Sequence, residues 1–233
     1  MKANGKLYLV PSFLGDENLA IISEQAKAAI MQLDCFVVEN AKTARRFLRA
    51  VGYKKNFDTE VDMRELDKHE KNSAAQLLTK IFEGKDVGII SEAGNPCIAD
   101  PGFELVQFAH EKNVEVRPLV GASSILLALI ASGFNGQQFS FHGYLPIPTP
   151  ERVKKLKQLE ELTKRNGAQI FMETPFRNNS LLRDALQQLQ PTTKLCIACD
   201  ITLPTQTIQT KTVRDWKQQV PELHKRYCVF VMG

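Results

Sequence analysis

Val87-Gly88-Ile89-Ile90-Ser91-Glu92-Ala93-Gly94-Asn95-Pro96-Cys97-Ile98-Ala99-Asp100-Pro101-Gly102 runs from an apolar tetrad, through turn-forming residues, into a helical pattern that begins at Phe103. A strand that is apolar at every position is buried on both faces, as in a parallel sheet covered by helices. The residues of the loop have separable physical jobs. Gly94 lets the backbone approach a ligand closely and Asn95-Pro96 forces a turn, while Asp100 is expected to cap the helix and Pro101 to open its first turn. Ligands of open parallel sheets bind beyond the carboxyl ends of the strands, where this loop must lie. A plain helix cap accounts for Asp100-Pro101-Gly102 alone. The whole loop from Ser91 to Gly102 points to a ligand.

The same strand, loop, helix unit recurs on both sides of this stretch. Leu7 to Val10 is a short apolar run ending at Pro11, and from Asn18 apolar residues recur at 19, 21, 22, 26, 29, 30 and 33 with helical spacing. Cys35 to Val38 reads as a strand, Thr43 to Val51 as a helix, Asn72 to Phe82 as a helix stopped by Gly84, Phe103 to Lys112 as a helix and Val114 to Arg117 as a strand. After Pro118 the pattern changes: Ile125 to Ile130 is apolar all round and is expected to be a deeply buried helix capped by Ser123 or Ser124. Strands Phe139 to His142, Ala168 to Met172 and Leu195 to Cys199 follow, interleaved with helices Glu151 to Lys164 and Asn178 to Leu189. The β-prone stretches Thr205 to Thr212 and Tyr227 to Met232 complete the pattern. The expectation is two α/β domains, residues 1–118 around a parallel sheet and residues 119–233 around a mixed one.

Composition narrows the class without choosing a partner. Hydrophobic residues make up 43% and charged ones 24% of 233, and the net charge is +4, as common in proteins that never meet nucleic acid as in those that do. Five cysteines, an odd number without a secretory leader, point to a reduced cytoplasmic setting rather than a disulfide framework. Cys196 and Cys199 have C-x-x-C spacing but lie in an apolar run and lack further ligands at suitable spacing, so buried thiols are expected and no metal site. The N-terminal apolar run is too short for a signal peptide or a membrane span. The chain has no G-x-G-x-x-G after its first strand, no Walker A loop and no H-E-x-x-H, which argues against a Rossmann dehydrogenase, an NTPase or a zinc protease.

Two further loops gather polar groups. Pro118-Leu119-Val120-Gly121-Ala122-Ser123-Ser124 enters a helix, so backbone N–H groups and two hydroxyls converge where an anion would be welcome. Phe171-Met172-Glu173-Thr174-Pro175-Phe176-Arg177 leaves a strand with a polar cluster in which Glu173 and Arg177 either pair with each other or meet a ligand. Taken in order, the loops resemble the tetrapyrrole-methylase superfamily, and within it the branch of small-subunit ribosomal RNA methyltransferases I. Ser91 to Gly102 is similar to that branch's S-D-A-G-T-P-x-x-S-D-P-G, Lys68 to Asn72 to its H-E-x-N, Pro118 to Ser124 to its P-L-P-G-x-S, Phe141 to Pro146 to its F-x-G-F-L-P and Glu173 to Arg177 to its E-S-P-H-R.

The resemblance implies S-adenosylmethionine held in a cleft between the two domains, a homodimer, no metal, and ribosomal RNA or the small ribosomal subunit as partner. It implies cofactor contacts at Pro11, Ser91, Ala93, Gly94, Asn95, Ile98, Ala99, Gly121, Ser123, Ser124, Met172 and Glu173, with Leu9, Ile98 and Met172 lining an adenine slot. The reaction would be in-line methyl transfer to a ribose 2′-hydroxyl, accelerated by positioning, with Asp100, Glu92 or Glu39 as the candidate base. Several positions depart from the branch. Pro11 to Asp16 lacks T-P-I-G-N-L-G-D, Glu39-Asn40-Ala41-Lys42 stands for E-D-T-R, His142 replaces a glutamate, Phe176 a histidine, and Cys199-Asp200 an Arg-Glu. The branch's small C-terminal extension is expected to be lacking after Gly233. Two alternatives remain open at this point: a methyltransferase of tetrapyrroles or other small molecules, and a homologue that binds the cofactor without catalysis.

Overall fold

A computed structural model describes residues 4–15, 18–66 and 73–233, so the expected match at Lys68 to Asn72 and the loop residue Asp16 lie outside the described residues. The chain divides into two units, Met1–Ser123 and Ser124–Gly233. The division falls beyond Pro118, so the Gly121 loop stays with the first unit.

The first unit is built on β1 (Leu7–Val10), β2 (Cys35–Val38), β3 (Asp62–Glu65), β4 (Val87–Ile90) and β5 (Val116–Pro118), in the order β3-β2-β4-β1-β5. Every pairing in it is parallel, with Val10 beside Ile90 and Ile90 beside Val38 at one edge. Helices α1 (Glu24–Gln32) and α2 (Ala41–Ala50) cover one face through Ala26, Ile30, Ala44, Phe47 and Leu48. Helices α3 (Ala74–Leu77), α4 (Thr79–Phe82) and α5 (Phe103–Glu111) cover the other through Leu77, Leu78, Ile81, Leu105 and Ala109. The chain leaves β2 for the edge strand β3 by way of α2, and leaves β4 in the opposite direction by way of α5. Neighbouring strands whose connections diverge in this way open a crevice at their carboxyl ends.

Some elements differ from the sequence reading. The edge strand β3 reads Asp-Met-Arg-Glu and carries no apolar run; pairing with β2 makes it a strand. The helix expected from Asn72 to Phe82 breaks near Leu78, because the Arg64 guanidinium and the Thr79 hydroxyl both take the Gln76 carbonyl and divert it from the helical ladder. Helix α2 starts at Ala41, before the expected Thr43, since the Asn40 side chain accepts from the N–H groups of Lys42 and Thr43 at 2.9 and 3.2 Å.

The second unit is a mixed sheet, β6 (Phe139–Tyr144), β7 (Ala168–Glu173), β8 (Lys194–Cys199), β9 (Thr207–Thr212) and β10 (Cys228–Met232), in the order β6-β7-β10-β8-β9. Only β6 and β7 run parallel. Helix α6 (Ser124–Ser132) lies on one face; α7 (Thr149–Asn166), α8 (Asn178–Gln188) and the short α9 (Val213–Gln218) lie on the other. The sequence reading missed α9, whose few residues are anchored by Val213 and Trp216. Helix α6 is not buried all round: Ile125, Ala128 and Leu129 face the sheet, but Leu126 is 50% and Ile130 75% exposed, because a single sheet face can cover only one side of a helix. Cys196 and Cys199 point to opposite faces of β8, as an odd spacing in a strand requires, so the C-x-x-C spacing cannot converge on one metal. Among the described residues no helix is long and apolar enough to cross a membrane.

Helix α7 is fastened by Arg152, only 3% exposed, whose guanidinium donates to Asp184 at 2.7 Å, to the Ile147 carbonyl at 2.6 Å and to the hydroxyls of Thr149 and Ser180 at 3.1 and 3.2 Å. Removing one partner of a buried ion pair strands the other charge. Asp184→Ala is expected to cost about 3–5 kcal/mol, read as a lower midpoint of urea unfolding for the second unit, whereas Lys154→Ala on the exposed face of α7 leaves the midpoint unchanged.

Candidate active site

Three loops leave the carboxyl edge of the parallel sheet and tie to one another. The Ser12 N–H, after β1, donates to the Gly94 carbonyl at 2.8 Å, and the Gly94 N–H donates back to the Phe13 carbonyl at 3.0 Å. Asn95 donates from Nδ2 to the Ala122 carbonyl at 3.2 Å, which brings in the loop after β5. At Gly121 an added Cβ would lie 2.1 Å from Pro11 Cβ and 2.7 Å from Asn95 Oδ1, so only glycine lets this backbone pack against the Pro11 ring and the Asn95 side chain. Pro11, Gly94, Asn95 and Gly121 therefore form one cluster. Ser91 is 5% exposed and its hydroxyl reaches the Ala93 and Gly94 carbonyls at 3.5 and 3.4 Å, which bends the loop upon itself.

The crevice between β2 and β4 gathers carboxylates. Glu39 Oε1 accepts the Glu92 N–H at 3.3 Å, and Glu92 Oε1 accepts the Thr43 hydroxyl at 3.1 Å. Further along the loop, Cys97 (φ 69°) and Ala99 (φ 63°) hold left-handed backbone that side chains resist. Strain of this kind gathers at functional sites. Burial pushes the Cys97 thiol up to about 11, helped by the carboxylates of Asp100, Glu104 and Glu39, so two of the three candidate bases share the field around that sulfur. Asp100 does not cap α5: the helix begins at Phe103, and its N-cap position is Gly102 at φ 115° with no side-chain cap. Asp100 lies two positions before that N-cap residue. Ile98 is 47% exposed and Ala99 is also exposed.

Ser123 is half-buried and immediately precedes α6, and Ser124 is its first residue. Met172 and Glu173 end β7 in the second unit. Glu173 Oε1 accepts from Arg177 Nε and Nη2 at 2.9 and 2.6 Å and from the Thr174 N–H at 2.7 Å, so the internal pair does form. Its other oxygen, Oε2, is buried and has no hydrogen-bond partner. A buried carboxylate oxygen in that state is an acceptor waiting for a donor.

Two residues of the site escaped the sequence reading. Ser12, 3% exposed, holds the Gly94 carbonyl, and Thr43 orients Glu92; the one stands just past a strand and the other in the first turn of a helix, where capping and ligand roles look alike in sequence. Gly121→Ala is expected to force Pro11 and Asn95 apart and to lower stability by about 1–3 kcal/mol, measurable by thermal unfolding. The Cys97 thiol, neutral until the pH nears about 11, is expected to alkylate slowly at neutral pH, with its rate rising well above the pH at which an ordinary cysteine of pKa 9.0 responds.

Residues 6–216 match the family model described as Tetrapyrrole (Corrin/Porphyrin) Methylases. A protein of Haemophilus influenzae named ribosomal RNA small subunit methyltransferase I is 32% identical over 231 residues, 98% of this chain and 78% of that one. The protein of the same name from Escherichia coli O157:H7 is 29% identical, covering 96% of this chain and 75% of its own length. Among solved structures, the methyltransferase CobJ superposes with a TM-score of 0.65 at 20% identity, covering 98% of this chain and 94% of that one. The cobalt precorrin-4 methyltransferase CbiF does so with a TM-score of 0.62 at 15% identity, with the same coverage. The structural likenesses establish the fold; with the family match and the sequence relatives, they show that this chain belongs to the tetrapyrrole methylase family and is a methyltransferase.

Proposed function

We propose that this methyltransferase uses S-adenosylmethionine to methylate a ribose 2′-hydroxyl of small-subunit ribosomal RNA, acting as a homodimer in the cytoplasm. The acceptor follows the names of the sequence relatives, which span nearly the whole chain. The observation that carries the chemistry is the interlocked loop cluster beside the Glu39 and Glu92 carboxylates, at the edge where parallel sheets bind ligands. The residues suit the cofactor. Acidic side chains at Glu39, Glu92 and Asp100 favour a sulfonium cation nearby, and the unpartnered Glu173 Oε2 suits an amino or hydroxyl donor. The first turn of α6 after Ser123 suits a carboxylate.

Bound S-adenosylmethionine supplies an electrophilic methyl group to an oxygen nucleophile. In this reading Pro11, Gly94, Asn95 and Gly121 form a rigid floor in the first unit, with Ser91, Ala93, Ile98, Ala99 and Ser123 as its further contacts, while Ser124, Met172 and Glu173 are the contacts proposed on the second unit. Glu92 is the preferred base because Thr43 orients its carboxylate, with Glu39 steadying the Glu92 backbone; Asp100 is the alternative. Rate enhancement comes mainly from holding the hydroxyl in line with the methyl group. The exposed Leu126 and Ile130 on α6 support a face covered by a second copy.

Calorimetric titration with S-adenosylmethionine and S-adenosylhomocysteine tests the cofactor. The expected outcome is micromolar binding, weakened about tenfold, or ~1.4 kcal/mol, by joint Ser123→Ala and Ser124→Ala. Methyl transfer to purified small ribosomal subunits, lost in Glu92→Gln, tests the acceptor and the base. Cofactor binding with no transfer to ribosomal RNA would turn attention to a tetrapyrrole or other small acceptor, or to a non-catalytic role. Sedimentation at micromolar concentration checks the dimer.

A further inference from the structure

We infer that the exposed face of α2, carrying Lys42, Arg45, Arg46 and Arg49, is the surface that grips the sugar-phosphate backbone of the RNA acceptor. The inference rests on the ribosomal RNA reading above and adds where the strand lies. Helix α2 reads Ala-Lys-Thr-Ala-Arg-Arg-Phe-Leu-Arg-Ala, with cations at four of its ten positions and no acid. Ala44, Phe47 and Leu48 are buried against the sheet while all four cations are exposed, so one helix separates an apolar face from a basic one. By contrast, the solvated side of α7 intersperses Lys154, Lys157 and Lys164 with Glu151 and Glu161, an ordinary mixture of signs.

Helix stability does not explain the arrangement. Lys42 with Arg45 and Arg46, and Arg49 with Arg45 and Arg46, are like-charge neighbours at spacings that disfavour a helix. Lys42 also sits in the first turn, where the helix dipole repels a cation. Among the described residues, Asp58 at 3.5 Å from Arg45 and the exposed Glu60 lie on the segment after the helix, while Glu65, which accepts the Ala41 N–H at 2.5 Å, and Glu92, which accepts the Thr43 hydroxyl, sit at its first turn. Arg45 and Arg49 are held in place over the Phe57 ring, 5.5 and 4.1 Å from its centroid, and Arg49 donates to the Tyr53 carbonyl at 2.6 Å. Two guanidinium groups pre-organised on a ring lose little freedom on meeting phosphate.

Position ties this face to the chemistry. The first turn of α2 touches the carboxylate crevice through the Thr43 to Glu92 hydrogen bond, and the helix extends from there for about 10 Å. A strand whose ribose sits at Glu92 would run its backbone along the four cations. Single-stranded RNA is read with its backbone on basic side chains and its bases splayed, and a ribose inside a duplex offers its hydroxyl less freely.

The test compares the wild type with the triple variant Arg45→Gln, Arg46→Gln, Arg49→Gln. A charge-matched control carries Lys154→Gln, Lys157→Gln and Lys164→Gln on α7. Binding to small ribosomal subunits is measured at several salt concentrations, with methyl transfer and S-adenosylmethionine affinity alongside. The triple variant is expected to bind at least about tenfold more weakly, to raise KM for subunits, and to flatten the slope of log K against log salt by about 2, near 0.7 per lost phosphate. The α7 control should match the wild type. Lys42→Gln with Arg46→Gln, which keeps both arginines on Phe57, should give a smaller shift in the same direction, and decides the matter if the triple variant fails to fold. Wild-type affinity and slope in the α2 variants, or equal loss in the α7 control, overturns the inference while the ribosomal RNA reading stands. If the wild type binds cofactor but neither binds nor methylates ribosomal RNA, that reading fails and takes the inference with it.

Discussion

Parallel pairing of β4 between β1 and β2 sends every following loop to the same edge, and the rest of the first unit depends on that constraint. Peptide groups beyond the last ladder bond still need partners, and buried ones are costly to leave unmade. Here the loops satisfy one another. The Gly94 carbonyl takes the Ser12 N–H, Asn95 takes the Ala122 carbonyl, and Gly121 admits the contact with Pro11. Loops whose peptides already hold each other form a rigid cluster, and rigidity of that sort is what catalysis by positioning requires.

Beside this rigid floor, the loop from Ser91 to Gly102 is strained. Gly94, Cys97, Ala99 and Gly102 all have positive φ, and for Cys97 and Ala99 this costs roughly 1–2 kcal/mol per residue. The strain aims backbone away from the sheet before α5 begins. The raised Cys97 thiol reflects its own burial and the carboxylates of Asp100, Glu104 and Glu39 around it, and it keeps the sulfur a poor nucleophile at neutral pH.

The second unit meets its polar demands differently. Arg152 spends its donors on Asp184, on Thr149, on Ser180 and on a carbonyl, which makes it a structural post under α7. Glu173 spends one oxygen on Arg177 and Thr174 and keeps the other unpartnered. One buried charge is thus fully hydrogen-bonded and the other keeps an oxygen to spare.

The sequence by itself determined the two sheets, since apolar tetrads such as Val87 to Ile90 must be buried on both faces and the helical spacing between them must supply the covers. It also pointed to the loops after Ile90, Pro118 and Met172, where turn and capping residues follow strands, although capping and ligand roles look alike there. What it could not determine was decided by contacts remote in the chain. Strand β3, without an apolar run, exists through pairing with β2, and the helix after residue 73 breaks because Arg64, from another element, takes the Gln76 carbonyl. Asp100 looked like a cap and is not one, because the left-handed backbone at Gly102 starts α5 later. Thr43 and Ser12 became site residues only when folding brought them to Glu92 and Gly94. Local pattern determines what a segment is, because periodicity and propensity act within a few residues; which groups meet depends on chain crossings that no local pattern records.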